Sequence, residues 1–314
     1  MIPALILTAG LATRLRPLSL VRAKAAVPVA GQPLVRRILA RLRSAGVSDA
    51  VLNLHHLPHT ITSVVGDGSD LGIRIRYSWE RPILGSAGGP RLALPLLDGS
   101  TFLIANGDTL TDADIPSLVA NHRSSGALVT LAVTSNRDPR KYGGIAAAAD
   151  GSMTGLTARG STEPSWHFIG LQVAESEAFA SIEAGSPCES FRAVYPTLIA
   201  ARPGSVRVHV CEAEFLDIGA PDDYLRTSRL LAQKEDGAAL HGLRTRIDAT
   251  ARVEDSILWD DVEVGARSVL RGCIVTDGVR VPDDASWTGV SLRTAVGELA
   301  PGERRVGELA VGLI

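Results

Sequence analysis

A seventeen-residue repeat near the C-terminus restricts the possible folds more than any other feature of this chain. Aligning Ile247–Glu263 with Val264–Arg280 places apolar residues on apolar residues, and Val281 begins a third, partial copy. The matched positions are Ile247/Val264/Val281, Val253/Leu270/Trp287, Ile257/Ile274 and Val262/Val279. Small residues match at Ala249/Ala266 and Ala251/Ser268/Ala285. A copy this short cannot bury its own apolar side chains, so successive copies must stack and share one core. Evenly spaced short strands also fit a fragment of a β-sandwich, which is the alternative reading. With fewer than three copies, the module must lean on the rest of the chain or on another subunit, and we expect a homo-oligomer.

Upstream of the repeat the pattern changes. Strand-like runs at Pro3–Leu7, Ala50–Leu54, Ile73–Tyr77, Thr101–Ala105 and Ala127–Val133 alternate with helical segments, predicting a layered α/β domain. The clearest helix runs from Pro33 to Ala45. Leu34, Val35, Ile38, Leu39 and Leu42 form its apolar face, and Gly46 ends it. Arg36, Arg37, Arg41 and Arg43 fall away from that face and read as solvated. The polar stretch Gln233–Gly242 is the expected boundary, giving domains at 1–232 and 243–292 and a tail at 293–314.

In open α/β sheets ligands gather at the carboxyl ends of strands, where the suggestive residues of this chain also fall. Gly10 follows the first strand, Asn53 ends the second, and Asn106-Gly107-Asp108 follows the fourth. The segment Ala9-Gly10-Leu11-Ala12-Thr13-Arg14 combines a small-residue turn with a cation, and Lys24 lies ten residues further on. Backbone N–H groups in such a turn can approach an anion, and a negative φ at Ala12 would let its methyl group be tolerated. Arg14 offers a planar fork for phosphate oxygens, and Lys24 offers a compact charge. The pattern suits a triphosphate.

The whole string LTAGLATRLRPLSLVRAKAAVPVAGQPL resembles the N-terminal motif of the sugar-phosphate nucleotidyltransferases, with Ala12 at the usual second glycine and Ala23 at the usual proline. The resemblance covers nearly all of residues 1–230. It implies a Rossmann-like layered α/β/α domain, and the repeat is similar to a short left-handed parallel β-helix of hexapeptide type. The implied reaction converts a nucleoside triphosphate and a sugar 1-phosphate to a nucleotide sugar and pyrophosphate. Arg14, Lys24 and Asp108 would be catalytic. Phe102–Asp108 is similar to the strand and N-G-D segment whose aspartate binds Mg²⁺, and Phe215–Tyr224 is similar to W-x-D-x-G-T-P-x-x-Y, which makes Asp217 the second Mg²⁺ ligand.

The segment from Trp79 to Pro90 resembles E-x-P-L-G-T-A-G, implying nucleotide contacts at Gly85, Ala87 and Gly88 in addition to residues 9–14, and Asn53 is a further nucleotide-contact candidate by its position at the end of the second strand. Its L-G-[ST]-A-G form is more familiar from mannose-1-phosphate guanylyltransferases, so GTP is favoured. For the sugar, the resemblance implies Asn106, Gly144 beside Tyr142, Glu163 and Gly170. The lysine of the E-K-P motif is missing next to Glu163, leaving Arg159 or another cation in its place. Two other readings stay open. One is glucose 1-phosphate with UTP or dTTP, and the other is a weakly catalytic regulatory subunit that binds a nucleotide sugar.

A formal net charge of -2 and 4% aromatic content argue against nucleic acid or an anionic membrane as partner. Cys188, Cys211 and Cys273 are odd in number and widely spaced, which suggests thiols in a reducing compartment rather than disulfides. Without a signal-like N-terminus or a membrane-spanning apolar run, the expected location is cytoplasmic. His55, His56 and His59 lack the spacing and companions of a zinc site. Asp112-Ala113-Asp114 resembles the D-x-D pair that metal-dependent glycosyltransferases use, but Asp114 before Ile115-Pro116 reads better as a helix cap. No histidine follows Gly242, so the repeat reads as an assembly or regulatory module rather than an acyltransferase.

Overall fold

The computed structural model describes residues 2–235 and 239–314. The expected boundary segment Gln233–Gly242 therefore includes residues 236–238, which lie outside the described residues. The chain forms two compact units. The first gathers residues through Gly10 with Arg37–Pro58 and Val65–Leu216, and the second gathers Leu11–Arg36, His59–Val64 and Asp217–Ile314.

Among the described residues, the first unit is built on a nine-stranded sheet. Its strands are β1 (Ala4–Leu7), β2 (Asp49–Leu54), β3 (Arg74–Trp79), β4 (Thr101–Asn106), β5 (Val129–Ser135), β6 (Gly144–Ala147), β7 (Met153–Thr157), β8 (Trp166–Glu175) and β9 (Val206–Val210). The order is β7-β6-β8-β4-β1-β2-β3, with β5 also beside β8 and β9 beside β5. Strands β4, β1, β2 and β3 run parallel, while β8 is antiparallel to both β4 and β5.

Side chains alternate across a strand, so both faces of this sheet need cover. Helix α1 (Leu34–Ser44) brings Ile38 and Leu42, and a later helix, Ile115–Ser125, brings Ile115, towards Ala105 and Ile169 on one face. On the other face Leu5, Val51, Phe102 and Ile104 pack with Ala87 and Ala93 of α2 (Gly85–Ala93) and with Tyr195. The expected layered α/β/α arrangement is present. The basic run on α1 is more engaged than its spacing suggests. Arg41 Nη2 donates to the carbonyls of Asp112 and Ala113 at 2.7 and 2.9 Å, and Arg36 Nη1 donates to Val64 O at 3.0 Å.

In the second unit the repeat folds into stacked coils in the register read from sequence. Ile247 pairs with Val264 and Val264 with Val281; Val253 pairs with Leu270 and Leu270 with Trp287; Ile257 pairs with Ile274, all in parallel. The corners recur at the same period. Arg244, Asp261 and Gly278 have φ of 56°, 60° and 66°, and Asp255, Gly272 and Gly289 have φ of 52°, 58° and 64°. Corner residues on adjacent coils also form ion pairs, as in Arg244–Asp261 and Arg267–Asp284. The tail belongs to the same body. Leu309–Leu313 pairs antiparallel with Val290–Thr294 and with Glu303–Val306, and Leu309 and Val311 enter the solenoid core.

Candidate functional site

Parallel register puts the ends of three strands in line. Leu7 on β1 lies opposite Asn53 on β2 and Asn106 on β4, so the loops after all three strands leave the same edge of the sheet. Asn53 is buried, and its side chain holds the first loop. Its Oδ1 accepts from Thr8 N at 2.6 Å and Ala9 N at 3.3 Å, and the Thr8 hydroxyl donates to the Asn53 carbonyl. Asn53 Nδ2 donates to Glu80 Oε1 at 2.7 Å, while Glu80 Oε2 accepts from Leu84 N at 2.7 Å. Both ends of the Asn53 amide are thus engaged within the protein, so this side chain also buttresses the loop after β1.

Glu80 is the residue that sequence reasoning undervalued. It is only 2% exposed, and such a buried carboxylate is tolerable because its oxygens are bonded. Gly89 is required beside it, since a Cβ there would come 2.5 Å from Glu80 Oε1 and 2.8 Å from Asn53 Nδ2. The other small residues of this segment are likewise explained by packing. A Cβ on Gly85, whose φ is +75°, would sit 2.5 Å from Glu189 Oε1, and one on Gly88 would sit 2.4 Å from Ser186 O. Ala87 is buried, and its N–H donates to Cys188 O at 2.9 Å. Their nearest neighbours are therefore residues 186–189 of the protein.

Beyond β4, Gly107 N donates to Leu7 O at 3.0 Å, and a Cβ on Gly107 would fall 2.5 Å from that same oxygen. The close approach seats Asp108, whose Oδ1 accepts from the Thr109 hydroxyl at 3.1 Å. Gly170, with φ of +81°, lies in the irregular stretch of β8 where its pairing with β5 shifts. A Cβ there would be 3.2 Å from both Asn106 Cβ and Thr109 Oγ1. Asn106 and Gly170 are thus neighbours. Gly144 packs against Ser165 and Thr157, whereas Glu163 and Arg159 are exposed.

In the second unit, Gly10's successors Leu11, Thr13 and Arg14 are exposed, and φ at Ala12 is positive. Its φ is 48° and ψ 46°, a left-handed conformation that glycine adopts without penalty. The buried Ser19 hydroxyl donates to Ala12 O at 2.9 Å and holds this turn. Lys24 is half-buried at the start of the turn Lys24–Ala26, preceded by the fully buried Ala23.

Arg14 and Asp217 come together around Gly219. A Cβ on Gly219 would lie 2.9 Å from Asp217 Oδ2, 3.0 Å from Asp223 Oδ2 and 3.3 Å from Arg14 Nη1, so a side chain here would crowd the point where these groups converge. The chemistry of this donor set, carboxylate oxygens next to a guanidinium, fits a hard divalent cation carrying phosphate oxygens. Asp223 was not singled out from sequence. It is buried and paired with Arg226 three residues later. Among the described residues no group of three or more His, Cys, Asp or Glu side chains is arranged to hold a metal ion on its own.

A cavity of about 580 Å³ in the first unit was also not anticipated. Its lining includes Asn136, Tyr142, His167, Glu214 and Phe215. The His167 ring lies 4.4 Å from that of Tyr142 and 4.5 Å from that of Phe215, centre to centre. Burial pushes the His167 pKa below its ordinary value, which favours the neutral ring. Elsewhere in this unit Asp114 Oδ1 accepts from Ser117 N at 3.0 Å, the helix cap read from sequence. Asp112 Oδ1 accepts from Glu214 N at 2.7 Å. His55 Nδ1 lies 3.0 Å from the Glu80 carbonyl.

Residues 3–234 match the family model described as nucleotidyl transferase, and residues 238–293 match the model described as GlmU-like, C-terminal hexapeptide. The chain is 30% identical to a mannose-1-phosphate guanylyltransferase of Mycobacterium tuberculosis over 89% of this chain and 81% of that relative. It is 26% identical to a UTP–glucose-1-phosphate uridylyltransferase of Synechocystis over 98% of this chain and 87% of that relative. Among solved structures, HddC from Yersinia pseudotuberculosis complexed with GMP-PN aligns with a TM-score of 0.65 at 21% identity. That alignment covers 74% of this chain and all of the neighbour. At that identity the likeness bears on the fold alone.

Proposed function

Since the chain belongs to the nucleotidyl transferase family, we propose that it transfers a guanylyl group from GTP to mannose 1-phosphate, releasing pyrophosphate. A phosphate oxygen of the sugar phosphate attacks the α-phosphorus, the bond from the α-phosphorus to the bridging oxygen breaks, and that oxygen leaves on pyrophosphate. Such a reaction needs no covalent enzyme intermediate, so the protein's work is positioning and charge neutralisation. The convergence of Arg14 and Asp217 around Gly219 supports this reading, because a guanidinium beside a carboxylate suits a metal-bound phosphate.

In this assignment the turn from Ala9 to Arg14 holds the triphosphate, with Gly10 free of any atom within 4 Å of a would-be Cβ. Arg14 favours the departing pyrophosphate, and Lys24 neutralises the reacting phosphates. Gly85, Ala87, Gly88 and Asn53 form the nucleotide side. Asn106, Gly144, Glu163 and Gly170 form the sugar side. Asp108 and Asp217 would hold Mg²⁺, which when bound neutralises phosphate charge and orients phosphate oxygens. The domain limits that accompany this reading are 1–232 and 243–292, with the tail 293–314 joined to the repeat through the pairing of Leu309–Leu313 with Val290–Thr294. The protein works in the cytoplasm as a homo-oligomer. No helix among the described residues is long and apolar enough to cross a membrane.

The Synechocystis relative supports glucose 1-phosphate with UTP as the second choice. The left-handed Ala12 and the lysine missing beside Glu163 support a regulatory subunit instead. Pyrophosphate release over a panel of nucleoside triphosphates and sugar 1-phosphates separates the three. GTP with mannose 1-phosphate should be fastest. A preference for UTP with glucose 1-phosphate supports the second choice, and nucleotide-sugar binding with no release from any pair supports the third. Light scattering of the full-length chain tests the oligomer.

A further inference from the structure

Arg22 lies in the same loop as Arg14 and Lys24, and the second unit places it against the solenoid. Its Nε donates to Asp277 Oδ2 at 2.7 Å, and its Nη2 lies 2.6 Å from both Asp277 Oδ1 and Asp260 Oδ2. Asp260 and Asp277 occupy the same position on successive coils, and Asp260 N donates to Asp277 Oδ1 at 3.1 Å. The guanidinium also stands over the ring of the buried Trp259, 5.4 Å from its centre. Trp259 Nε1 donates to the Tyr224 hydroxyl at 2.9 Å, and that hydroxyl donates to Pro28 O. The loop is therefore tied to the solenoid both at Arg22 and just beyond Lys24.

The Arg22 side chain is only 12% exposed, so its contacts are largely shielded from water. Burial pushes the Asp277 carboxyl above its ordinary range despite the neighbouring guanidinium, which shows what ionising it there costs. Partly buried ion pairs of this kind contribute little net stability but define geometry strongly, since a two-pronged contact accepts one orientation. The geometry they define here is that of the segment carrying Arg14 and Lys24.

We propose that Arg22, gripped by Asp260 and Asp277, is a positioning residue for the phosphate loop, making the solenoid a structural part of nucleotidyl transfer as well as an assembly module. The proposal rests on the reading of Arg14 and Lys24 as phosphate-binding groups. Released from the solenoid, the loop should lose the alignment that supports the chemical step, while the sugar side in the first unit stays as it is.

The test uses the full-length protein and its Arg22→Met, Arg22→Lys and Asp277→Asn variants. Backbone hydrogen exchange over residues 11–27 should speed up in Arg22→Met, and kcat should fall by about ten- to a hundredfold, the size expected from misplacing reacting groups. The KM for mannose 1-phosphate should stay within about twofold, and Arg22→Lys, which keeps the charge but loses the fork, should fall between wild type and Arg22→Met. Unchanged exchange over 11–27 overturns the proposal, as does a fall in kcat matched by an equal rise in the mannose 1-phosphate KM. If Arg22→Met does not fold, the nearly isosteric Asp277→Asn is read by the same criteria. If wild type turns over no substrate pair, the functional reading fails, and loop exchange in the variants still decides whether Arg22 positions the loop.

Discussion

Asn53 and Glu80, at the ends of neighbouring strands, share one hydrogen bond of 2.7 Å that couples the loop after β1 to the segment entering α2. Removing the amide with Asn53→Ala strips the acceptor from Thr8 N and one donor from a buried carboxylate. We expect a loss of about 3 kcal/mol in unfolding free energy, the size typical of leaving such groups unpaired. Gly89→Ala should act through the same pair, since its Cβ would press on Glu80 Oε1. Urea unfolding of both variants checks this, and wild-type stability in both would remove the network from the fold's essential contacts.

Ala12 offers a prediction of opposite sign. A left-handed conformation costs a non-glycine residue about 1–2 kcal/mol. The extra freedom glycine brings to the unfolded chain offsets about 0.4–1 kcal/mol of any gain. Ala12→Gly should therefore be slightly more stable than wild type and bind GTP at least as tightly. Lower stability on thermal unfolding would mean that Ala12 is not left-handed in solution.

For charge neutralisation, Lys24→Ala should lower turnover by roughly 10²–10³-fold with the fold intact, as expected on losing a preorganised donor to the reacting phosphates. Arg14→Ala should weaken GTP binding. Steady-state kinetics and equilibrium titration distinguish the two roles, and near-normal turnover in Lys24→Ala refutes the role given to that residue.

Asp108→Asn and Asp217→Asn should each abolish Mg²⁺-dependent activity, because a dication and several phosphates need both anionic ligands. Residues acting as one unit give non-additive losses, so the double variant should be little worse than either single one. Multiplying losses would instead assign the two carboxylates to separate tasks.

Burial lowers the pKa of His122 and His167, for His122 against the opposing pull of Glu175. Below the unfolded histidine pKa of about 6.5 the unfolded chain takes up protons that the folded chain refuses, so stability falls as pH drops from there towards the folded pKa values. Melting temperatures measured from pH 7.5 to 5.5 should decline on the acid side. His167→Phe should flatten that decline, because neither His167 ring nitrogen has a hydrogen-bond partner among the described residues and the tilted ring contact with Tyr142 survives. A variant with the same pH profile as wild type would show that His167 does not contribute.

Sequence alone determined whatever depends on near neighbours or on a fixed period. Coils seventeen residues long announce their register because each stacks on an identical partner position, and Ile247, Val264 and Val281 fall into line as read. The parallel strands, the cap at Asp114 and the family motifs are local patterns of the same kind. The tertiary structure alone decided contacts that join distant segments. Arg22 finds Asp260 and Asp277 across 238 and 255 residues, and nothing in the spacing of a lone arginine specifies such partners. The glycines at 85, 88 and 89 have a sequence signature of close approach, but only the fold reveals that residues 186–189, Asn53 and Glu80 are what come close. Local periodicity encodes which face of an element is buried; the identity of what it is buried against is set by the folded chain as a whole.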